Sequence, residues 1–315
     1  MDSTGIISRE CSTAITAAST LVNSLDVRQT TRNTYSRQIA AFITWTYATG
    51  RDMQSLNTAD IVAYKEHLLS TRSTSTTAIA IAAIRQLYEL VEDNGGTNIA
   101  RRVHAPKIRK TFIRQHLTPT EARAVVAATR TLRDRAIVTL MLATGIREVE
   151  ATRLNIADIY IRHIVTEEGT EVTKHVAKVW GKGHDEADAT IVIPTAAWNV
   201  LADYIATRKV TSSHEPLFVG ECNRNNGERL TTRTIRNIVT TAMHAAGIVG
   251  KEYSTHSLRH TAAVAALRNG SAITDVQDML RHSSPTTTQI YLDSIREEMR
   301  LSHAAEDNAA AYLGI

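Results

Sequence analysis

The sequence predicts a mainly α protein with a small antiparallel β-sheet, divided into a helical N-terminal domain and a mixed α+β C-terminal domain. Three observations carry this reading. Apolar side chains recur at helical spacing through residues 1 to about 108, a basic stretch broken by proline follows, and from Ile156 the hydrophobic period falls to two for three short runs. The division is residues 1–105, a linker at 106–117, and residues 118–315. A chain of 315 residues is long enough for two ordinary domains with proper cores.

In the first domain, Ser12 to Leu25 is an amphipathic segment and Thr30 to Ala48 a second, with Tyr35, Ile39, Phe42, Ile43 and Tyr47 forming its apolar stripe. Gly50 ends it. Asn57-Thr58 caps a third helix through Leu69, and a fourth starts near Ser75, carries Ile79, Ile81, Ile84, Leu87, Tyr88 and Val91, and stops at Asn94-Gly95-Gly96. Pro106 then breaks any helix. Lys107, Arg109, Lys110 and Arg114 cluster around it, with His104 and His116 adding charge when protonated, a composition suited to a linker lying along DNA.

The second domain opens with a strong helix start, an N-cap Thr118 followed by Pro119 and by Glu121 in the first turn, and that helix runs to about Thr129. Leu132 to Thr144 is largely apolar, hence a buried helix. Asp158 to Ile161, Lys174 to Trp180 and Thr190 to Pro194 read as strands. Thr195 to Lys209 is a helix, Pro216 to Val219 an extended piece and Thr231 to Ala246 a further helix. His256 to Leu267 follows as an amphipathic helix and Ile273 to Leu280 as another; Ser283-Ser284-Pro285 then turns the chain into a last helix from Thr286.

Composition excludes several classes. Hydrophobic content of 43% and charged content of 22% suit a globular protein rather than a disordered one. No apolar run approaches membrane-spanning length, and M-D-S-T-G has neither the basic n-region nor the apolar core of a secretory signal. Cys11 and Cys222 lie far apart and form no metal-type spacing, which fits a reducing, cytoplasmic setting. The net charge of +4 is unevenly placed: residues 1–110 hold 13 basic and 9 acidic side chains, and the remaining 23 of each cancel. A basic N-terminal third fits a module that grips a duplex; the plainer reading is an ordinary surface with slightly more arginine than acid.

The chemistry concentrates between Thr255 and Tyr291. His256 and Arg259, three apart, share a helix face. His282 and Tyr291 sit on either side of the Ser-Ser-Pro turn, so two histidines, an arginine and a tyrosine lie at the ends of three short helices. An anion is the natural occupant of such a point, because arginine offers a planar donor fork, helix N-termini offer unpaired N–H groups, and histidine moves protons near neutral pH. Tyrosine there would be a nucleophile. With an ordinary pKa of about 10 it needs a cationic site or a nearby base to become one.

These residues also carry a family resemblance. H-S-L-R-H (256–260), L-R-H-S-S (280–284) and T-T-T-Q-I-Y (286–291) resemble the signature of the tyrosine recombinases, in which H-x-L-R-H is followed by L-G-H-S-S and by the nucleophilic tyrosine nine residues after the second histidine, the gap between His282 and Tyr291. A-T-G-I-R-E-V-E (143–150) resembles the family's T-G-L-R-x-x-E, which makes Arg147 the first clamp arginine and Glu150 its orienting partner. W-G-K-G-H (180–184) resembles the hairpin that carries a catalytic lysine, here Lys182, with Lys178 as the substitute. The pattern T-x-x-T-Y-x-x-x-I-x-x-F-x-x-W at 31–45 resembles the family's core-DNA-binding domain. Two departures stand out: Arg281 replaces the usual Gly, which questions the turn, and His184, Asp185 and Glu186 stand where basic residues are common.

The resemblance implies the following. The fold is of tyrosine-recombinase type, a helical core-binding domain followed by a mixed α+β catalytic domain with a C-terminal docking tail. Arg28, Arg32, Arg37, Arg72 and Arg85 contact phosphates, as do Lys107, Arg109 and Lys110 of the linker; Arg233 and Arg236 lie on a helix that enters a groove. Arg72 with Thr74 to Thr77 reads equally as simple capping, and Arg233 and Arg236 equally as a solvated face. The enzyme is a site-specific DNA recombinase acting through a 3′-phosphotyrosyl intermediate, needing neither cofactor nor metal. Its partners are double-stranded DNA with an inverted-repeat core site and three further copies of itself, forming a homotetramer on two sites, with no membrane and any accessory protein unidentified. The start of the chain leaves no room for a separate arm-binding domain, so a two-domain enzyme of a mobile element or resolution system is expected. The tail from Ala304 docks on a neighbouring protomer or on its own domain. Two rival functions stay open, a topoisomerase-like relaxing enzyme and a DNA-binding regulator with an idle catalytic half. A metal site on His256 and His260 lacks both the glutamate of H-E-x-x-H and a third ligand.

Overall fold

The structure, a computed structural model, describes residues 3–107, 116–166, 168–180, 189–222, 225–250, 253–282, 310 and 312–314. It divides into two compact units, Met1–Phe112 and Ile113–Ile315.

The first unit is built from α1 (Ser3–Asn23), α2 (Gln29–Ala48), α3 (Thr58–Thr71) and α4 (Thr74–Asp93). α1 starts nine residues before the expected Ser12, because no proline interrupts Ser3 to Glu10 and a single Gly5 costs a helix only about 1 kcal/mol. The stripe read in α2 buries Ile39, Phe42 and Ile43, which meet Ile61 and Tyr64 of α3 and Ile81 and Ile84 of α4. Phe42 and Trp45 pack their rings on Tyr64 at 5.1 and 5.0 Å. Asn57 caps α3 reciprocally: its side chain accepts from the Ala59 N–H at 2.8 Å, and Asp60 returns a carboxylate to the Asn57 N–H at 3.0 Å. Ser73 caps α4 by accepting from the Thr76 N–H at 3.2 Å, so the chain between α3 and α4 serves to close one helix and open the next.

The second unit contains α5 (Pro119–Ala127), α6 (Leu132–Thr144), α7 (Glu148–Arg153), a 3-10 turn (Ile156–Asp158), β1 (Ile159–Val165), β2 (Glu171–Val179), β3 (Ala189–Ile193), α8 (Thr195–Ala206), α9 (Thr232–Ala245), α10 (Thr255–Arg268) and α11 (Ile273–Leu280). The strands form an antiparallel sheet in the order β1-β2-β3, with Ile159 opposite Ala177 and Ala177 opposite Ile191. Ala177, Val179, Ile191 and Ile193 face the core. α6 is the central post. Ala136, Ile137, Val138, Leu140 and Met141 are all buried, because α8, α10, α9, α5 and β3 pack around it. Truncating Ile137 to Ala there would cost about 2–5 kcal/mol.

Two local differences from the sequence reading bear on the site. α7 has six residues, too few to display a helical period, and escaped notice as an element. α10 is less amphipathic than its pattern suggested: Thr255 and Ser257 through Val264 are buried without a break, since α6, α9 and α11 all pack on it. Among the described residues no helix is long and apolar enough to cross a membrane.

Candidate active site

Three chain turns meet in the second unit, and one glycine lets them. Gly145 ends α6 in the left-handed region (φ 62°, ψ 20°), its N–H donating to the Met141 carbonyl at 3.0 Å. A Cβ on Gly145 would lie 2.7 Å from Cδ2 of Leu280, the last residue of α11, and 3.7 Å from Cγ of Arg259. The backbone of the first motif therefore presses directly against side chains of the other two.

Arg147 follows as the N-cap of α7. Its backbone N–H donates to Glu150 Oε2 at 2.9 Å and its Nη1 to Glu150 Oε1 at 2.7 Å, so one carboxylate fixes both ends of the arginine. Glu150 is 1% exposed, as a partner that must hold one geometry should be. Arg259, 4% exposed, projects from α10 and donates Nη1 to the Gly145 carbonyl and Nη2 to the Leu280 carbonyl. A single guanidinium thus ties the end of α6 to the end of α11. Arg147, His256 and Arg259 line one pocket with Glu148 and Thr255, on a floor of Met141 and Ile146.

His282 lies just past α11, half-buried, its N–H bonded to the Gln277 carbonyl at 3.1 Å. Burial first, and then the Arg259, Arg147 and Arg281 guanidinium groups, push its pKa down to about 4. With that pKa the imidazole is neutral at pH 7.

Two groups escaped the sequence reading. Glu148 accepts from Thr255 Oγ1 at 2.7 Å and pairs with Arg236, joining α7 to α10 and α9. Burial pushes its carboxyl up, but the Arg236 and Thr255 hydrogen bonds and the nearby charges of Arg236 and His256 outweigh this and hold it low. The signal was E-V-E at 148–150, two carboxylates in one turn, of which only Glu150 was read. Arg281, seen only as a missing glycine, adopts the left-handed conformation itself (φ 53°, ψ 50°) and donates Nη2 to Glu150 Oε2 at 2.6 Å.

The other expected residues fall as follows. Lys182, Tyr291, Arg109 and Lys110 lie outside the described residues, as do most of the tail and the sequence around Lys182. Lys178, the substitute, places its ammonium 5.9 Å from the centre of the Tyr160 ring on β1. Arg28, Arg37, Arg72, Lys107 and Arg233 are exposed. Arg32 donates Nε to the Leu25 carbonyl at 2.9 Å, closing the end of α1, and Arg85 is half-buried with its Nε out of reach of solvent. Arg236 pairs with Glu148 and is exposed. His256 is exposed while His260 is 2% exposed, and among the described residues no three His, Cys, Asp or Glu side chains gather in a way that could hold a metal ion.

Comparison with known proteins is decisive at this point. Residues 115–298 match the phage integrase family, and residues 18–95 match the phage integrase N-terminal SAM-like domain. The chain belongs to the tyrosine recombinase family. The recombinase is 31% identical over 230 residues to tyrosine recombinase XerC of Corynebacterium glutamicum, covering 70% of this chain and 68% of that one. It is 30% identical over 240 residues to XerC of Thermodesulfovibrio yellowstonii, covering 72% and 73%. Its fold resembles that of XerH site-specific recombinase bound to a palindromic difH substrate (TM-score 0.70, 18% identity, 88% of this chain and 80% of that one). It also resembles a lambda integrase dimer bound to a COC′ core site (TM-score 0.62, 16% identity, 87% and 92%). The recombinase is therefore an enzyme, a tyrosine-type site-specific DNA recombinase that works through a covalent tyrosine intermediate.

Proposed function

We propose that the recombinase exchanges strands between two DNA sites with Arg147, Arg259, His256, His282, Lys182 and Tyr291 as its working side chains. The observation that carries this assignment is the double tether of Arg259, which bonds the Gly145 turn before Arg147 and the Leu280 carbonyl before His282, beside a pocket lined by Arg147, His256 and Arg259. Glu150 orients Arg147. In the first step the Tyr291 phenol oxygen attacks the scissile phosphorus and the bond from phosphorus to the 5′ oxygen breaks. A 3′-phosphotyrosyl link and a free 5′ hydroxyl result, with Lys182 giving its proton to the leaving oxygen. Arg147 and Arg259 face the two nonbridging oxygens as charge builds on them. His256 assists proton movement at the nucleophile, and neutral His282 donates an N–H to phosphate. In the second step a 5′ hydroxyl from the partner duplex attacks the phosphotyrosine, restoring phosphodiester and free tyrosine. One ester replaces another, so no nucleoside triphosphate is consumed.

Rejoining to a partner strand requires two duplex sites, and hence four protomers on paired inverted-repeat core sites. The N-terminal unit supplies the first grip through Arg28, Arg37 and Arg72, Lys107, Arg109 and Lys110 continue it along the linker, and Arg233 adds a contact from α9. The C-terminal tail, whose Tyr312 is 91% exposed, docks on a neighbouring protomer. The biological task is integration and excision of a mobile element, or resolution, carried out in the cytoplasm where its DNA lies.

The test is covalent trapping. A binding site recovered from a random duplex pool is nicked beside the scissile phosphate, so that cleavage releases a short fragment and cannot reverse. Wild type accumulates a protein–DNA adduct and Tyr291→Phe none. Binding without any adduct would instead identify a regulator, and relaxation of supercoiled DNA without strand exchange a topoisomerase-like enzyme.

A further inference from the structure

Arg281 occupies an uncomfortable place for an arginine. It is the one non-glycine among the described residues with positive φ, a conformation that L side chains rarely adopt. Its side chain is only 11% exposed, and Nη2 reaches back to Glu150 Oε2 at 2.6 Å while Nη1 donates to the Met279 carbonyl at 2.9 Å. Glu150 thus receives three donors from two arginines: the Arg147 N–H and Nη1, and Arg281 Nη2. On the other side of the same residue, the carbonyl of Leu280 accepts Arg259 Nη2, and the chain continues directly into His282. Arg281 is therefore bonded through its side chain to the group that orients Arg147, and joined through its backbone to the group that holds Arg259.

We propose that Arg281 is a positioning residue of the cleavage site, locking Glu150, and through it Arg147, in register with Arg259 and His282. A glycine at 281 would accept the same backbone without strain but would remove the Arg281–Glu150 bond that ties the end of α11 to α7, leaving Glu150 with Arg147 alone among its described partners. The left-handed backbone aims the Arg281 side chain toward α7, and the buried ion pair with Glu150 offsets that backbone's cost. The inference rests on the reading that Arg147 and Arg259 receive the scissile phosphate.

The experiment measures single-turnover trapping of the nicked duplex across a range of protein concentrations. It compares wild type, Arg281→Gly, Arg281→Lys, Arg281→Asn, Glu150→Gln and the Arg281→Gly/Glu150→Gln pair. Arg281→Gly relaxes the backbone, and Arg281→Asn keeps the left-handed turn with an uncharged side chain that tolerates it, so two independent variants remove the guanidinium from a folded protein. In both, the maximum trapping rate falls at least tenfold while the half-saturating protein concentration stays within twofold of wild type. Arg281→Lys, which can still reach Glu150 with a cation, recovers part of the rate. The double variant is no slower than the slower of its parents, because both changes undo the same link. The inference is overturned if Arg281→Gly and Arg281→Asn trap DNA within twofold of the wild-type rate. It is equally overturned if the losses of Arg281→Gly and Glu150→Gln multiply, or if only the half-saturating concentration moves. If wild type traps nothing at a site it binds, or Arg147→Ala traps as well as wild type, the underlying reading falls and the inference with it, a pattern distinct from failure at Arg281 alone.

Discussion

Gly145→Ala is the sharpest perturbation of the site that leaves every ionisable group in place. The new methyl meets two costs that can be separated. Holding alanine at φ 62° costs about 1–2 kcal/mol from backbone sterics. The Cβ would also lie 2.7 Å from Leu280 Cδ2, and Leu280 is fully buried, so relief requires moving a packed side chain; overpacking of this kind costs about 1–3 kcal/mol. The sum is about 2–5 kcal/mol. Gly247→Ala is the matched control, since Gly247 has φ 80° and open space where its Cβ would go, and it should lose only the backbone share, about 1–2 kcal/mol. Urea denaturation at one pH gives both numbers, and their difference isolates the packing cost. Function adds a second readout. The displaced Leu280 and the Gly145 carbonyl are the two anchors of Arg259, and a misplacement of about 1 Å at a catalytic group can cost a hundredfold in rate. Trapping of the nicked duplex should therefore fall about a hundredfold in Gly145→Ala and stay near wild type in Gly247→Ala. Equal stability losses in the two variants, with wild-type trapping in both, would falsify the claim that the three turns are pressed together at this glycine.

Other tests follow from the same geometry. Removing Glu150 leaves the buried guanidinium of Arg281 without its carboxylate, so Glu150→Ala should destabilise by about 3–5 kcal/mol. Glu148→Ala, whose partner Arg236 is 55% exposed, should cost about 1 kcal/mol in the same urea titration; equal losses would mean that burial does not govern the pair. His282 gives a pH signature. Its folded pKa of about 4 lies below the ordinary 6.5, so between those values the unfolded chain binds a proton that the folded chain does not, and stability falls on acidification. The full linkage between pH 7 and pH 5 is about 2 kcal/mol, reduced to about 1 kcal/mol because the ring is only half-buried. Wild type should lose that much more than His282→Asn over the same interval, and parallel curves would refute it. Lys182→Ala should cleave slowly on ordinary DNA and recover on a duplex whose leaving 5′ oxygen is replaced by sulfur, because a thiolate departs without a proton; no recovery would remove Lys182 as the general acid. Arg37→Ala should weaken binding to all sequences alike and lower the salt slope by about 0.9 for each phosphate it no longer neutralises, and an unchanged slope would place Arg37 off the DNA.

How much of this was legible in the sequence depended on the range of the interaction. α6 and α11 were read residue for residue, Leu132 to Thr144 and Ile273 to Leu280, because the largely apolar content of the first and the turn residues that follow the second are local signals. Strand length was underestimated in β1: Arg162, His163, Ile164 and Val165 break the alternation of burial, yet pairing with β2 carries the strand four residues past Ile161. In the site, His256, Arg259 and His282 were named from their places on short helices and turns, and Arg147 and Glu150 from the resemblance of residues 143–150 to a family motif. Their supports were not, because those supports join residues more than a hundred positions apart or rest on a backbone angle. Arg259 to Gly145, Thr255 to Glu148, and Arg281 to Glu150 are contacts between turns distant in sequence, and no periodicity encodes them. Arg281 illustrates the limit well: the missing glycine signalled a question about the turn, but only φ and the reach of the side chain answered it.

The charge count gives these supports a common purpose. Arg147, Arg259 and Arg281 are three cations gathered at the junction of α6, α7, α10 and α11; Glu150 bonds the first and the third, Glu148 pairs with Arg236 beside them, and all three guanidinium groups bear on His282 as an excess of positive charge. Such an excess is unfavourable in the free protein, and the lowered pKa of His282, which comes first from burial and then from the three guanidinium groups, is one sign of it. A bound phosphodiester brings one negative charge and leaves part of the excess unanswered. The pentacoordinate state reached when Tyr291 attacks carries close to two, so on the proposed assignment the match of charge improves along the reaction rather than at binding. That is the condition under which electrostatic stabilisation raises the rate instead of only the affinity. It also explains why Glu150 has to be buried and doubly held. A carboxylate free to swing into the pocket would cancel the charge that the transition state needs, whereas one pinned between Arg147 and Arg281 orients the first and directs its own charge to the second.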